Sequence, residues 1–425
     1  MLRWVFSKVM RIYFRRVDVV GDLPSPATRG RIFVANHVNG LVDPVLVMTS
    51  APCVISPLGK STLWSIPLLK WVLGAIDAVP VTRRKDDPTK AVGSNEALFE
   101  AVAGKLHRGG NILIFPEGVS HNEPQLQKVR TGAARMLIRA ADAGTKGLSF
   151  QSVGLEFDER DVFRSRALVI YGPARDVDEV AASAEADDPE ERVAFITQSM
   201  ASDLSELIVE GADWAEMRAI AQVAEVLANT LPAAQDAPLS SLQHRNTMGR
   251  RVEMAARAMA KADPDLVLRI KGNVEAYFSI LERSGLSDRD VVRGARGVGA
   301  VRAAWLGLVL PLALVGVVIF ALPYHLPRFV ARALAKESHD VVSTYKLGVG
   351  LIVYPLWATA LTIAASVLIA MPGALIVCAL VWLSPWCALV WLDVLEHGPR
   401  RPANREALVK LRKELLALIE EAHAL

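Results

Sequence analysis

His37 and Asp43 are the first residues in the chain whose types and spacing suggest chemistry. They follow the apolar segment Arg31–Ala35, which is β-rich and predicts a buried strand, so both would lie in the loop where that strand ends. Active sites of open α/β sheets gather at such strand ends. A neutral imidazole takes a proton from an alcohol, and a nearby carboxylate fixes its tautomer and stabilises the resulting cation. The pair is a candidate general base, against the alternative of a turn with an incidental histidine.

A second motif, Phe115-Pro116-Glu117-Gly118, also follows an apolar segment that predicts a strand, Asn111–Phe115. Gly118 frees the backbone for close approach to a ligand. The carboxylate of Glu117, with basic and hydroxyl groups further along the chain, suits the binding of a polyol phosphate. The alternative is a tight turn with solvated polar neighbours.

A third motif carries two arginines, Arg83 and Arg84, directly after a predicted strand at Ala78–Val81. The guanidinium group pairs with phosphate oxygens through two parallel hydrogen bonds, so arginines at a strand end are good phosphate ligands. A solvated basic turn is the alternative.

The elements that must position these motifs alternate between strand and helix. Further strands are predicted at Ser152–Phe157 and Ala167–Tyr171. Between Arg84 and the strand at Asn111–Phe115, apolar residues recur at helical spacing and predict a helix. Strands that alternate with helices predict an α/β domain with a largely parallel sheet, which we place at residues 17–175.

The rest of the chain has a different character. Residues 1–16 predict an amphipathic helix on an anionic membrane surface, or alternatively a packed N-terminal helix of the first domain. Residues 176–300 predict a helical region, in which Asp188-Pro189-Glu190-Glu191 is a strong helix start. Residues 396–425 predict a charged C-terminal helix.

Two long uncharged segments predict a transmembrane region at residues 301–395. No charged residue occurs between Arg302 and Arg328, or between Lys346 and Asp393. A membrane-spanning helix needs roughly 20 apolar residues, so the first segment supplies one span and the second supplies two, separated at Pro372-Gly373. Basic residues flank both ends of this region, which conflicts with a simple count of three spans unless one segment is re-entrant.

Composition agrees with a membrane protein. Of the 425 residues, 52% are hydrophobic and 22% are charged, an apolar balance for a soluble enzyme. The formal net charge of +3 is too small to indicate a nucleic-acid partner. The three cysteines (Cys53, Cys378 and Cys387) give neither a disulfide framework nor a zinc pattern.

In sequence order, the three motifs resemble those of the glycerol-phosphate acyltransferase superfamily. The family has a His-x4-Asp motif, an Arg-bearing strand end and a Phe-Pro-Glu-Gly-Thr-Arg-Ser motif. The resemblance implies that His37 is the base and Asp43 its partner, and that Arg83, Glu117 and Gly118 bind the acceptor. The family's Thr-Arg-Ser is here Val119-Ser120-His121, so Arg130 is the candidate to replace the missing arginine.

The spacing from His37 to Asp43 has five intervening residues instead of four and resembles one branch of this superfamily. The branch comprises the eukaryotic-type enzymes that acylate glycerol 3-phosphate or dihydroxyacetone phosphate. Its His-x-Asn-x-x-Val-Asp-Pro pattern matches residues 37–44, and its Phe-Pro-Glu-Gly-x-Ser-His pattern matches residues 115–121. Asp340–Lys346 and Leu281–Val291 also resemble segments of that branch.

The resemblance implies direct acyl transfer without a covalent enzyme intermediate. His37 would deprotonate the sn-1 hydroxyl of glycerol 3-phosphate, which attacks the thioester of acyl-CoA or acyl carrier protein in phospholipid biosynthesis. Neither a metal nor a cofactor is expected, because the thioester is already activated. Glu117 would contact glycerol hydroxyls or order its loop.

Several alternatives remain at this point. The acceptor could instead be lysophosphatidic acid, another lysolipid or dihydroxyacetone phosphate, and the chain could be a catalytically silent membrane scaffold of the same fold. The expected location is an integral membrane protein in contact with membrane lipid, with the catalytic domain on the cytoplasmic side.

Overall fold

The computed structural model describes residues 2–82, 91–183, 188–230, 242–294, 299–335, 339–397, 400 and 404–423. The chain divides into two units. Unit 1 comprises Met1–Met217 with Ser241–Glu253, and unit 2 comprises Arg218–Ser240 with Met254–Leu425. The limits predicted for separate domains within these units remain predictions.

Unit 1 contains one seven-stranded sheet. In chain order the strands are β1 (Arg16–Gly21), β2 (Arg31–Ala35), β3 (Ser56–Lys60), β4 (Val79–Val81), β5 (Ile112–Ile114), β6 (Ser149–Phe157) and β7 (Arg166–Asp176). Their spatial order is β1-β7-β6-β2-β5-β3-β4. The pair β6–β7 is antiparallel, and the other recorded pairs are parallel. The predicted α/β fold with a largely parallel sheet is confirmed.

Seven helices accompany the sheet in the described part of unit 1. They are α1 (Leu2–Tyr13), α2 (Val42–Ser50), α3 (Pro67–Ala75), α4 (Ala91–His107), α5 (Gly132–Asp142), α6 (Val177–Ser183) and α7 (Pro189–Ser205). A short 3₁₀ helix, Ser61–Ser65, precedes α3. Asp188 caps α7 by accepting a hydrogen bond from the backbone N–H of Glu190, as its sequence predicts.

The sheet is buried on both faces, which explains why its central strands lack polar alternation. Ile32 and Val34 on β2 join a core cluster with apolar residues of α4, α5 and α7. Phe33 points to the other face and packs edge-on against Tyr171 of β7. Helices α1 and α2 cover this second face, where the Tyr171 hydroxyl lies 2.9 Å from Ser50 Oγ. The strand β2, which carries the first motif, is therefore fixed from both sides.

Unit 2 contains the remaining helices, of which two also extend into unit 1. The helices that contain the unit boundaries are α8 (Trp214–Thr230) and α9 (Leu242–Ala262). The others are α10 (Pro264–Ser284), α11 (Asp288–Arg293), α12 (Ala300–Ala335), α13 (Val342–Leu368), α14 (Gly373–His397) and α15 (Arg405–His423). A short 3₁₀ helix at His339–Val341 precedes α13.

A fully buried carboxylate holds the polar helices of unit 2 together. Asp288 accepts hydrogen bonds from Tyr277 Oη (2.8 Å), Asn229 Nδ2 (2.9 Å) and Arg412 Nε (2.8 Å). These donors belong to α10, α8 and α15, so one charge joins four helices. A buried ion pair of this kind is strongly destabilised when one partner is removed, because the other is left uncompensated.

Three helices, α12, α13 and α14, are long and apolar enough to cross a membrane. The first contains 36 residues, which at about 1.5 Å per residue extend roughly 54 Å, beyond the hydrocarbon core of about 30 Å. Helices α12 and α14 approach closely at Gly316, where a Cβ atom would clash with the carbonyl of Ser384. Small residues allow such close packing between membrane helices.

A proline in α12 leaves a carbonyl that a neighbouring helix satisfies. Pro323 has no N–H, so the carbonyl of Ile319, four residues earlier, loses its normal helical partner. Trp357 of α13 donates its indole N–H to that carbonyl at 3.0 Å. Backbone polar groups within a bilayer must be satisfied inside the protein, so this contact links the proline to the packing of the two helices.

We expect Trp357→Phe to lower the thermal unfolding temperature of the full chain in detergent, measured by circular dichroism, because the Ile319 carbonyl loses its donor. Hydrogen bonds between membrane helices contribute about 0.6–2 kcal/mol. The exposed Trp386 on α14 provides the matched control, and Trp386→Phe should leave the midpoint unchanged.

A rescue experiment isolates the role of the carbonyl. Adding Pro323→Ala to Trp357→Phe returns an N–H at position 323, which can bond Ile319 within α12, and should recover part of the lost stability. A loss that Pro323→Ala leaves undiminished would contradict the assignment.

Candidate active site

The sheet topology brings the first and second motifs together. Strand β2 pairs in parallel with β5, with Ile32 opposite Ile112 and Val34 opposite Ile114. The segments that follow the two strands therefore emerge side by side at the carboxyl edge of the sheet. His37 belongs to the first of these loops and Glu117 to the second, and direct hydrogen bonds join the two loops.

The imidazole of His37 contacts the carboxylate of Asp43 in the first turn of α2. His37 Nδ1 lies 2.9 Å from Asp43 Oδ2. Because an ionised carboxylate can only accept, the proton lies on Nδ1 and the lone pair of the neutral ring lies on Nε2. The His37 side chain is 18% exposed, whereas that of Asp43 is fully buried. The arrangement presents a nitrogen base whose tautomer is set by a carboxylate.

The same oxygen of Asp43 also fixes the loop that carries His37. Besides the imidazole, Oδ2 accepts hydrogen bonds from the backbone N–H groups of Val38 (2.8 Å) and Asn39 (2.7 Å). The loop between His37 and Asp43 therefore turns around the carboxylate.

The backbone and ring of His37 are held by the second loop. The N–H of His37 donates to Glu117 Oε2 at 2.6 Å, and its carbonyl accepts from the N–H of His121 at 3.1 Å. The ring stacks on Phe115 with centroids 4.0 Å apart and planes 19° apart. The orientation of the base is therefore determined jointly by Asp43 and by the Phe-Pro-Glu-Gly segment.

The carboxylate of Glu117 is buried, and protein donors engage both of its oxygens. Oε2 accepts from the backbone N–H of His37, while Oε1 accepts from His121 Nε2 (2.7 Å) and from the backbone N–H of Gln127 (3.1 Å). Of the two roles considered for this residue, ordering the loop and contacting the acceptor, the geometry favours ordering the loop.

His121 is a neutral donor in this arrangement. Its Nδ1 accepts a hydrogen bond from the backbone N–H of Glu123 at 3.1 Å, so the ring proton lies on Nε2 and is donated to Glu117. His121 occupies the position of the serine in the Thr-Arg-Ser segment of the motif it resembles. Its ring N–H stabilises the Glu117 carboxylate, which in turn holds the backbone of His37. His121 is therefore a positioning residue. It matches the Phe-Pro-Glu-Gly-x-Ser-His pattern, but it was not among the predicted site residues.

Arg160, in the loop after β6, connects the loops that carry His37 and Glu117. Its Nη1 donates to the carbonyls of Val38 (3.3 Å) and His121 (3.4 Å), and its own carbonyl accepts from Asn39 Nδ2 at 2.8 Å. The guanidinium lies over the ring of Trp214, 5.3 Å from the centroid. No sequence signal pointed to Arg160, because it is remote from both motifs along the chain.

Gly118 and Arg130, both predicted from sequence, lie together. Gly118 has a positive φ of 80°, and a Cβ at this position would come within 3.0 Å of the Arg130 guanidinium. A side chain there would be strained and would collide with the arginine, so glycine is required. Arg130 is exposed, and its backbone N–H donates to the carbonyl of Pro116 at 3.0 Å. A cation is thus held beside the second motif.

Arg83, the remaining predicted acceptor ligand, lies outside the described residues, as does Arg84. Their strand is observed as β4, which pairs in parallel with β3. Strand β3 ends at Lys60, between the ends of β5 and β4. Sequence reading missed this strand and therefore missed Lys60 as a cation at the same edge.

A small cavity of about 90 Å³ lies behind the two loops, lined by Asn36, Glu117, His121, Glu156 and Arg160 among others. Burial raises the pKa of Glu156 to about 7, although hydrogen bonds from the Val209 N–H and Asn246 oppose the shift. The lining does not include His37.

Comparison with known proteins agrees with the motifs. Residues 16–155 match the family model described as Acyltransferase. The chain is 27% identical over 282 residues to glycerol-3-phosphate O-acyltransferase 2 of Saccharomyces cerevisiae. It is 23% identical over 288 residues to glycerol-3-phosphate O-acyltransferase 1 of the same yeast. Each match covers 62% of this chain and 37% of the relative, so the chain spans well under half the length of these yeast proteins.

Two shorter similarities complete the comparison. The chain is 29% identical over 142 residues to a lyso-ornithine lipid O-acyltransferase of Pseudomonas aeruginosa, which covers 33% of this chain and 49% of that protein. The crystal structure of a 1-acyl-sn-glycerophosphate acyltransferase from Thermotoga maritima matches 48% of this chain and 79% of its own, at 16% identity and a TM-score of 0.36.

The two roles considered for Glu117 predict different kinetics for Glu117→Gln. An amide offers one acceptor oxygen and turns an NH₂ group toward a buried donor, which costs about 1–3 kcal/mol. If Glu117 orders the base, kcat falls roughly 5- to 150-fold while the KM for the acceptor changes little.

The exposed Glu123 gives a matched control in the same loop, and Glu123→Gln should retain wild-type kinetics. A raised acceptor KM with an unchanged kcat in Glu117→Gln would instead identify Glu117 as an acceptor ligand.

Proposed function

Because residues 16–155 form an acyltransferase domain of the glycerol-phosphate acyltransferase superfamily, we propose that the whole chain is a membrane-bound enzyme that acylates the sn-1 hydroxyl of glycerol 3-phosphate. The observation that carries the proposal is the His37–Asp43 pair, with Nδ1 and Oδ2 2.9 Å apart. That geometry leaves Nε2 as the base.

The proposed reaction is a direct transfer in which every proton has a donor and an acceptor. The hydroxyl of the acceptor gives its proton to His37 Nε2 as its oxygen attacks the thioester carbonyl. The new C–O ester bond forms and the C–S bond breaks. The imidazolium, stabilised by Asp43, then returns the proton to the departing thiolate.

Cations near the reacting edge support a phosphorylated acceptor. Arg130 lies against Gly118 in the second loop, and Lys60 ends β3 between β5 and β4. Arg83 follows β4 in the sequence. A guanidinium binds a phosphate bidentately, so we propose Arg130 and Arg83 as phosphate ligands, with Gly118 allowing the acceptor to approach the backbone.

The choice of glycerol 3-phosphate over other acceptors rests on the extent of similarity. The likeness to the two yeast proteins named for this acceptor extends over 62% of the chain. The likeness to the lyso-ornithine lipid acyltransferase covers 33%. Lysophosphatidic acid, another lysolipid and dihydroxyacetone phosphate are the alternative acceptors. The intact His37–Asp43 pair disfavours a catalytically silent scaffold.

The proposed donor is acyl-CoA, with acyl carrier protein as the alternative. Both are soluble carriers of an activated acyl group, so we place the catalytic domain on the cytoplasmic side of the membrane. The product would be an amphipathic lysolipid, which suits an enzyme whose chain contains three helices long enough to cross a membrane.

The acceptor can be decided by one assay. The purified full chain is given one radiolabelled acyl-CoA and, separately, glycerol 3-phosphate, dihydroxyacetone phosphate, lysophosphatidic acid and a lyso-ornithine lipid. We expect the highest kcat/KM with glycerol 3-phosphate, and 1-acyl lysophosphatidic acid as the product. Faster acylation of any lysolipid would contradict the proposed acceptor while leaving the acyltransferase chemistry intact.

Two arginine variants test how the phosphate is held. Arg130→Ala should raise the KM for glycerol 3-phosphate with little change in the acyl-CoA KM, because the loss falls on acceptor binding. Arg135, which pairs with Glu190 on the surface, gives the matched control, and Arg135→Ala should leave both constants unchanged.

A further inference from the structure

Helix α3 is apolar yet largely uncovered. Its sequence, PLLKWVLGA, contains a single charge, at Lys70. Trp71 is 61% exposed, and Ile66, which directly precedes the helix, is 48% exposed. Among the described side chains of α3, Leu73 is the buried apolar one. Exposed apolar surface on a folded unit often marks a contact with another protein or with a membrane.

The path of the chain places α3 on the same face of the sheet as α1 and α2. The crossovers from β2 to β3 and from β3 to β4 move in the same direction across the sheet. Parallel crossovers are almost always right-handed, so α2 and α3 cover the same face. The return from β4 to β5 moves the opposite way, which puts α4 on the other face. Helix α1 joins α2, since Arg3 donates to the carbonyls of Pro52 and Cys53.

Exposed apolar and basic residues lie along the helices of this face. Trp4 is exposed on α1, with Lys8 over its ring at 5.5 Å, and Val54 is exposed in the loop after α2. The sequence contains no acidic residue between Leu2 and Arg16 or between Ser56 and Ile76. A surface that combines exposed tryptophan with lysine and arginine is complementary to an anionic lipid surface.

The opposite face has a different surface. Helices α4, α5 and α7 display ion pairs of mixed sign, Arg135–Glu190 (2.6 Å) and Arg139–Glu100 (2.8 Å). Among the described side chains of these three helices, Phe195 is the exposed large apolar one. The two faces thus differ as a lipid-facing and a water-facing surface would.

We propose that the α3 surface, formed by Ile66, Lys70 and Trp71, inserts into the interface of an anionic bilayer and seats unit 1 on the membrane by the α1–α2–α3 face. The three membrane-length helices of the same chain keep unit 1 close to a bilayer, so weak contacts suffice. Helix α3 begins after β3, at the carboxyl edge that carries His37 and Glu117. Its insertion brings the reacting edge to the depth at which lipid acyl chains begin.

The proposal is tested on the full chain with a fluorophore that reports polarity and lipid contact. Trp71→Cys and, separately, Ile66→Cys are made with Cys378→Ala and Cys387→Ala, while the buried Cys53 is retained. Each is labelled with nitrobenzoxadiazole and reconstituted into vesicles of phosphatidylcholine and phosphatidylglycerol that contain doxyl-labelled lipid. Ala97→Cys, at an exposed position on α4, is the matched control.

Labels at positions 66 and 71 should show blue-shifted emission and quenching by the doxyl lipid, while the label at position 97 shows neither. Lys70→Glu should reduce the quenching at position 66. Two positions are used so that one poorly folding variant does not decide the outcome.

Two results would overturn the proposal. Labels at positions 66 and 71 that behave as position 97 does would show a water-exposed α3. A blue shift without doxyl quenching would show that protein, such as a second copy of the chain, covers α3. Neither readout depends on acyl transfer, so failure here is distinguishable from failure of the proposed function.

Discussion

The active site depends on one buried oxygen atom. Asp43 Oδ2 accepts hydrogen bonds from the imidazole of His37 and from the N–H groups of Val38 and Asn39, so a single carboxylate both forms the loop and sets the tautomer of the base. A buried charge is costly unless hydrogen bonds compensate it, and these three donors all act on Oδ2. The loop therefore turns around Asp43, and because His37 uses Nδ1 in this contact, Nε2 is left for the acceptor hydroxyl in the reaction that we propose.

The loop that carries Glu117 also fixes His37. It lies beside the His37 loop because β2 and β5 are parallel neighbours. Glu117 accepts the backbone N–H of His37, and His121 and Gln127 satisfy the rest of its carboxylate. Arg160 then joins the two loops from the direction of β6. The motifs are far apart in sequence, but the fold joins them in one hydrogen-bonded network around His37.

Sequence patterns predicted the fold class and singled out the two motifs that the sheet brings together, and they failed where local signals are weak. The β2 strand was predicted with its observed limits because its apolar residues are buried on both faces. The β3 strand was missed because its sequence, SPLGK, contains proline and glycine, which are rare inside central strands. Because β3 was not predicted, Lys60 at its end was not predicted at the carboxyl edge of the sheet. Arg160 acts through contacts that only the tertiary structure creates, and the role of Glu117 depends on which donors surround it, which composition does not reveal.

The central claim is that His37 removes a proton from the acceptor hydroxyl. The most direct test is the turnover of purified His37→Ala with glycerol 3-phosphate and acyl-CoA, beside His107→Ala, which removes an exposed histidine on α4. The account predicts that His37→Ala keeps its circular dichroism spectrum and loses about 10²–10⁴-fold in kcat, the usual cost of removing a general base, while His107→Ala behaves as wild type. A folded His37→Ala variant with near-normal turnover would contradict the account.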